Sequence, residues 1–247
     1  LIRPDTILVS IMAINNEIGS IQPIKDISEL LEDKPTISFH VDAVQALAKI
    51  PTEDFLTDRV DFATFSSHKF HGVRGVGFVY IKSGKKITPL LTGGGQESDY
   101  RSTTENVAGI AATAKALRLS MEKLDIFTSK TGQMKTVIRQ ALVDYPDIFV
   151  FSDEEDFAPH ILTFGIKGVR GEVIVHAFED YDIFISTTSA CSSKAGKPAG
   201  TLIAMGVDKD KAQSAVRLSL DLENDMSQVE QFLTKLKLIY NQTRKVR

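Results

Sequence analysis

Three apolar runs of strand length, at residues 7–13, 36–41 and 60–65, follow one another in the first part of the chain. In the first gap Pro23 precedes Ile24, Ile27, Leu30 and Leu31, whose spacing makes one apolar helix face. In the second, Asp42 and Gln45 follow the strand directly, and residues 43–48 can open a helix. A repeated strand, helix, strand pattern demands a mainly parallel sheet with right-handed crossovers. The C-terminal ends of the three strands then lie on one edge. The run at 7–13 is continuous rather than alternating, which suits a strand buried on both faces.

What those ends carry is polar. The first empties into Ile14-Asn15-Asn16-Glu17-Ile18-Gly19, the second into Asp42 and Gln45, and the third into Ser66-Ser67-His68-Lys69. The third turn is followed by the glycine-punctuated stretch His71-Gly72-Val73-Arg74-Gly75 and a further strand at 76–81. Lys69 therefore stands at the end of a buried strand among hydroxyls, with an imidazole on each side at His68 and His71. Such a setting suits a lysine whose amine forms a Schiff base, whereas an ordinary lysine is a solvated ammonium.

Beyond residue 81 the pattern loosens. Gly93-Gly94-Gly95-Gln96-Glu97 and Arg101-Ser102-Thr103-Thr104-Glu105-Asn106 form a polar loop, and Asn106 can cap an alanine-rich helix that runs to Met121. An amphipathic helix follows around 134–142. Strands are expected at 148–151, 160–166, 183–185 and 215–220, and helices at 172–178, 200–205 and 227–240. This second part reads as α+β, with a boundary near Leu124. Between residues 186 and 198 lies a run of hydroxyls, small residues, Lys194, Lys197 and Pro198 around the single cysteine, Cys191. A lone cysteine is commonly a buried apolar residue. These neighbours instead imply an exposed, mobile loop in which the lysines favour the thiolate.

Composition excludes several classes. A net charge of −3 gives no purchase on nucleic acid or an anionic membrane, and no apolar run reaches membrane-spanning length. One cysteine rules out an internal disulfide and fits a reducing cytoplasm. The chain begins at Leu1 and enters a strand almost at once, as if partway through a domain.

Taken in order, NNEIG at Asn15, HVDAVQA at His40, SSHKFHG at Ser66, GGGQE at Gly93, RSTTEN at Arg101, SAC at Ser189 and VRLSL at Val216 resemble the cysteine desulfurases. These NifS/IscS-like enzymes belong to the class V aminotransferase group and depend on pyridoxal phosphate. The resemblance spans almost the whole chain, and the stretch around Cys191 looks like the branch with the longer cysteine loop. It implies an α/β, aspartate aminotransferase-like fold. Residues 1–124 would be the C-terminal part of an incomplete large cofactor-binding domain and residues 125–247 a small α+β domain.

The resemblance also implies roles. Lys69 forms the Schiff base with the cofactor, Asp42 pairs with the pyridine nitrogen, and Gln45 bonds the ring's phenolic oxygen. Ser66 and His68 bind the phosphate, and Thr104 reaches the phosphate of the other subunit of a homodimer. Asn16 sits beside the cofactor and, with Arg217, holds the substrate carboxylate. L-Cysteine is the implied substrate, and Cys191 attacks its sulfur and becomes a persulfide. That sulfur passes to acceptor or iron–sulfur scaffold proteins, with Cys191 a transient ligand of an iron–sulfur cluster and no intrinsic metal site.

Two departures are visible. Val73-Arg74 stands where the family commonly has Pro-Lys, with Arg74 keeping the charge. The family's N-terminal part, with a further phosphate-binding threonine and the histidine that stacks on the ring, is not within these 247 residues. Without it, exposed sheet edges are expected that another chain covers or through which the piece associates. Two rival readings follow: a selenocysteine lyase or other class V aminotransferase, and a non-catalytic scaffold or partner in a sulfur-transfer complex.

Overall fold

A computed structural model describes residues 1–152, 155–188 and 200–245. The chain divides into two compact units, Leu1–Ile14 with Gln22–Leu124, and Asn15–Ile21 with Asp125–Arg247.

In the first unit, β1 (Leu8–Met12), α1 (Ile24–Leu30), β2 (Ser38–Asp42), β3 (Phe62–Ser66), β4 (Gly77–Ile81) and α2 (Val107–Met121) follow in order. The sheet runs β1-β2-β3-β4, parallel through β3 and antiparallel between β3 and β4. Met12 pairs with Asp42 and Asp42 with Thr64, so the C-terminal ends of the three parallel strands share one edge. Side chains alternate along each strand. Phe39 and Val41 of β2, with Ala63 and Phe65 of β3, form a buried face, while His40, Asp42, Thr64 and Ser66 share the other.

Two expectations fail here. Among the described residues β1 is not buried on both faces: Leu8 is 52% and Met12 40% exposed on one face, and β1 is hydrogen-bonded to β2 alone. Residues 43–48 make no α-helix either. The amide of Leu47 reaches the carbonyl of Ala43, giving one turn, and Ala48 at φ 59° then leaves the helical region. Asp42 Oδ1 accepts the Val44 amide at 3.0 Å, so its side chain closes a local turn.

The start of β3 is clamped to β2. Asp61, whose side chain is 2% exposed, accepts the Phe39 amide at 2.9 Å, Arg59 Nη1 at 2.9 Å and Lys85 Nζ at 3.1 Å. Arg59 in turn donates to the carbonyls of Leu31, Lys34 and Ile37. Burial pushes the Asp61 carboxyl up, but the Phe39 amide and the two cations together outweigh it, and its pKa falls below the ordinary value.

Beyond β3 the chain tightens into a 3₁₀ turn, Ser67–Phe70, closed by His71 in the left-handed region at φ 66°. Ser67 is fully buried, and its hydroxyl pairs with Thr113 of α2 at 2.9 Å. Ser120 of α2 donates to the Phe70 carbonyl at 3.0 Å. A β-carbon at Gly72 would lie 1.9 Å from Ser67 Oγ and 2.9 Å from its carbonyl oxygen, so only glycine lets the chain turn back there. The loop before α2 holds three successive left-handed residues, Glu97, Ser98 and Asp99, and Asn106 caps α2 through the Gly109 amide.

The second unit comprises α3 (Leu124–Val143), β5 (Ile148–Val150), β6 (Ile161–Ile166), α4 (Gly171–Glu179), β7 (Ser186–Thr187), α5 (Gly200–Ala204), α6 (Lys209–Gln213), β8 (Ala215–Ser219) and α7 (Met226–Lys245). Its antiparallel sheet runs β5-β6-β8-β7. The strand expected at 183–185 begins at Ser186 instead, the first residue to pair with β8. Every residue of β6 is buried. On one face Leu162, Phe164 and Ile166 join a cluster with Met134 and Ile138 of α3, Phe178 of α4 and Leu236 of α7. The other face meets the turn 15–21. Thr163 Oγ1 donates to the Glu17 carbonyl at 2.7 Å, and a β-carbon on Gly19 would lie 2.8 Å from Ile161 Cβ.

Two substitutions test this account. Asp61→Ala leaves two cations without their buried carboxylate and is expected to cost about 3–5 kcal/mol in urea unfolding. Since the folded pKa lies below the unfolded one, the Asp61 contribution is complete above about pH 4 and is lost as pH falls through the folded value. The D61A penalty therefore shrinks on acidification, and a pH-independent penalty would refute the clamp. Gly72→Ala is expected to cost about 2 kcal/mol by overpacking, with part recovered in a Ser67→Ala, Gly72→Ala double variant. Strict additivity of the two changes would contradict the contact.

Candidate active site

The C-terminal edge of the first sheet gathers five of the residues singled out in the sequence. Asp42 closes β2, Gln45 is half-buried in the turn after it, Ser66 closes β3, and His68 and Lys69 lie in the 3₁₀ turn. His68 is exposed, while Asp42, Ser66 and Lys69 are half-buried. Their positions follow from strand register: β2 and β3 are parallel with Asp42 opposite Thr64, so their polar C-terminal ends lie at the same edge, Ser66 two residues beyond Asp42. The 3₁₀ turn is fixed from behind by Ser67 and Ser120, so Lys69 is carried on a rigid backbone.

Sequence reasoning missed a layer beside Asp42. His40, two residues back on the same face of β2, bridges its neighbours: Nδ1 lies 2.7 Å from Ser10 Oγ of β1 and Nε2 3.1 Å from Thr64 Oγ1 of β3. Burial pushes the His40 pKa down against the opposing pull of Asp42, which favours a neutral ring. The period-two spacing of His40 and Asp42 was the available signal.

Thr104 is exposed in the loop preceding α2. Asn16 folds as part of the second unit. There its carbonyl accepts Arg217 Nη1 at 2.6 Å. Arg217 is half-buried in the middle of β8, paired across the sheet with Thr163 and Ser186. Its guanidinium is a planar cation of the geometry that suits a carboxylate. Asn15 and Glu17, neither assigned a role from sequence, bond to Thr201 at the start of α5. Cys191, Lys194 and Lys197 lie outside the described residues. Among the described residues no group of His, Cys, Asp and Glu could hold a metal ion, and no helix is long and apolar enough to cross a membrane.

These stretches have counterparts in known proteins. Residues 1–232 match the aminotransferase class-V family. A NifS/IcsS protein homolog of Lactobacillus delbrueckii subsp. bulgaricus is 51% identical over 98% of this chain and 63% of its own length. The cysteine desulfurase IscS of Clostridium botulinum is 38% identical over 99% of this chain and 62% of its own. Among solved structures, a NifS-like protein superposes with a TM-score of 0.88 at 37% identity, covering 98% of this chain and 63% of that one. A NifS-like protein from Rickettsia africae gives 0.85 at 30% identity, over 95% and 62% of the two chains. The chain thus spans a little under two thirds of the relatives it matches. With that match over nearly all its length and the fold of the NifS-like structures, the chain belongs to the class-V aminotransferase family.

Proposed function

We propose that the protein carrying this sequence is a pyridoxal-phosphate-dependent cysteine desulfurase. It acts as a homodimer in the cytoplasm and delivers sulfur to acceptor or iron–sulfur scaffold proteins. Residues 1–124 supply part of the large cofactor-binding domain and residues 125–247 the small domain with Cys191. The observation that carries the reading is Lys69 on a rigid turn at the same strand-end edge as the Asp42 carboxylate.

The donor set fits the cofactor. Asp42 uses Oδ1 for the Val44 amide, and Oδ2 has no hydrogen bond among the described residues, which leaves it for a ring N–H. Ser66 and His68 bring a hydroxyl and an imidazole for a phosphate, Thr104 supplies a hydroxyl to the neighbouring subunit's phosphate, and Gln45 brings an amide for the phenolic oxygen. When bound, pyridoxal phosphate supplies an electron sink for the bond broken at the substrate Cα.

The chain's own groups do the rest. Lys69 removes the α-proton and holds it on Nζ for return. Asp42 keeps the ring nitrogen protonated through its negative charge. Arg217 and Asn16 hold the substrate carboxylate. Cys191, as thiolate, attacks the substrate Sγ; the S–S bond forms as the Cβ–Sγ bond breaks. L-Cysteine and the thiol become L-alanine and a persulfide, with one sulfur transferred and no external oxidant.

The test uses the protein as encoded by its gene. Treatment with pyridoxal phosphate and borohydride is expected to place the adduct on Lys69 in peptide mass spectrometry, and L-cysteine to yield alanine with a persulfide on Cys191. Lys69→Ala is expected to lower alanine formation by at least about 10²-fold. Cys191→Ser should abolish the persulfide. Full L-cysteine activity in C191S would favour a lyase of the same fold, and no adduct on any lysine would end the enzymatic reading.

A further inference from the structure

The turn Asn15–Ile21 makes contacts that its proposed carboxylate role does not need. Asn15 Oδ1 accepts the amides of Glu17 and Ile18 at 2.8 and 3.0 Å, which folds the turn on itself. Glu17 is then held at its carbonyl by Thr163, and its carboxylate reaches outward: Oε2 accepts the Thr201 amide at 3.0 Å. Asn15 Nδ2 donates to Thr201 Oγ1 at 3.2 Å. Next to this polar clasp Ile18 and Leu202, both 1% exposed, share a small apolar cluster with Ala212 and Ala215. The first turn of α5 is therefore seated on this turn by two hydrogen bonds and one apolar contact. Between Asn15 and Glu17, the carbonyl of Asn16 receives Arg217.

Two features of the sequence give the clasp a meaning beyond stability. Thr201 follows Cys191 by ten positions, so α5 is the first described element after the cysteine. And one short turn holds both the start of α5 and the guanidinium proposed to bind the substrate carboxylate. We propose that Glu17 is a positioning residue for sulfur transfer: by accepting the Thr201 amide it fixes the root of the cysteine-bearing segment in register with Arg217. This rests on the desulfurase reading above. A carboxylate is well suited to the task, because it meets backbone N–H groups at a helix start with charge-assisted strength. Glutamine retains an acceptor oxygen at the same reach; alanine does not.

The experiment compares Glu17→Ala and Glu17→Gln with the parent holoenzyme. Hydrogen exchange at the Thr201 amide reports the clasp. Single-turnover persulfide formation on Cys191 reports sulfur transfer, and solvent exchange of the α-proton of L-alanine reports the Lys69 step, which needs no cysteine. E17A is expected to speed Thr201 exchange and slow persulfide formation about tenfold, the scale of one charge-assisted hydrogen bond. Alanine α-proton exchange should stay within about twofold of the parent, by the same principle that only lost transition-state contacts slow a step. E17Q should recover most of the sulfur-transfer rate. Unchanged persulfide formation in E17A, or equal slowing of both steps, overturns the role. A parent that forms no Cys191 persulfide defeats the desulfurase reading and this role with it. That result is told apart because Thr201 exchange would still respond to E17A.

Discussion

Asp61 and Phe39 join β2 and β3 at two points. The Asp61 amide donates to the Phe39 carbonyl, and the Phe39 amide donates back to the Asp61 carboxylate, each at 2.9 Å. With the strands aligned at this end and equal in length, the opposite ends have no freedom. Asp42 must lie opposite Thr64 with Ser66 two residues beyond on the same face, and the turn that carries Lys69 must begin there. The arrangement depends on a carboxylate kept ionised by Arg59 and Lys85 despite burial. A neutral side chain of the same shape would lose the cations that tie α1's end and the start of β2 into the same corner.

Much of this was legible in the sequence. Parallel pairing followed from the repeated strand, helix, strand pattern, and the edge with Asp42 and Lys69 followed from parallel pairing. What failed was what depends on partners outside the local window. The apolar run of β1 gives no hint of whether anything covers it, and a continuous run suits a doubly buried strand equally well. The helix after Asp42 had adequate propensity, but the Asp42 side chain closed a turn and Ala48 took a left-handed conformation. His40, Glu17 and Asn15 were passed over because their partners, Ser10 and Thr64 or Thr201, come from distant parts of the chain.

The second unit shows how a polar turn can be made part of a core. β6 is buried on both faces, yet Thr163 on one of them is polar. It is tolerated because its hydroxyl finds the Glu17 carbonyl and its amide finds Ser152 Oγ, which itself donates to Ile18. The turn 15–21 is thus seated on the sheet through satisfied hydrogen bonds on one side while it meets α5 and Arg217 on the other. A substitution in β6 would reach Arg217 by two routes, through this turn and directly from Thr163, its cross-strand partner.

The left-handed residues Glu97, Ser98 and Asp99 have an energetic meaning of their own. For residues other than glycine this conformation costs on the order of 1–2 kcal/mol each. The turn persists because Asp99 bonds Gly95, Tyr100 bonds Glu97, Ser102 bonds Leu91 and the Tyr100 hydroxyl bonds Lys85. The segment leading to Thr104 is therefore a wound spring latched by four hydrogen bonds. A contact that replaces those latches must supply what they supply, because the left-handed turn holds only while its hydrogen bonds are made.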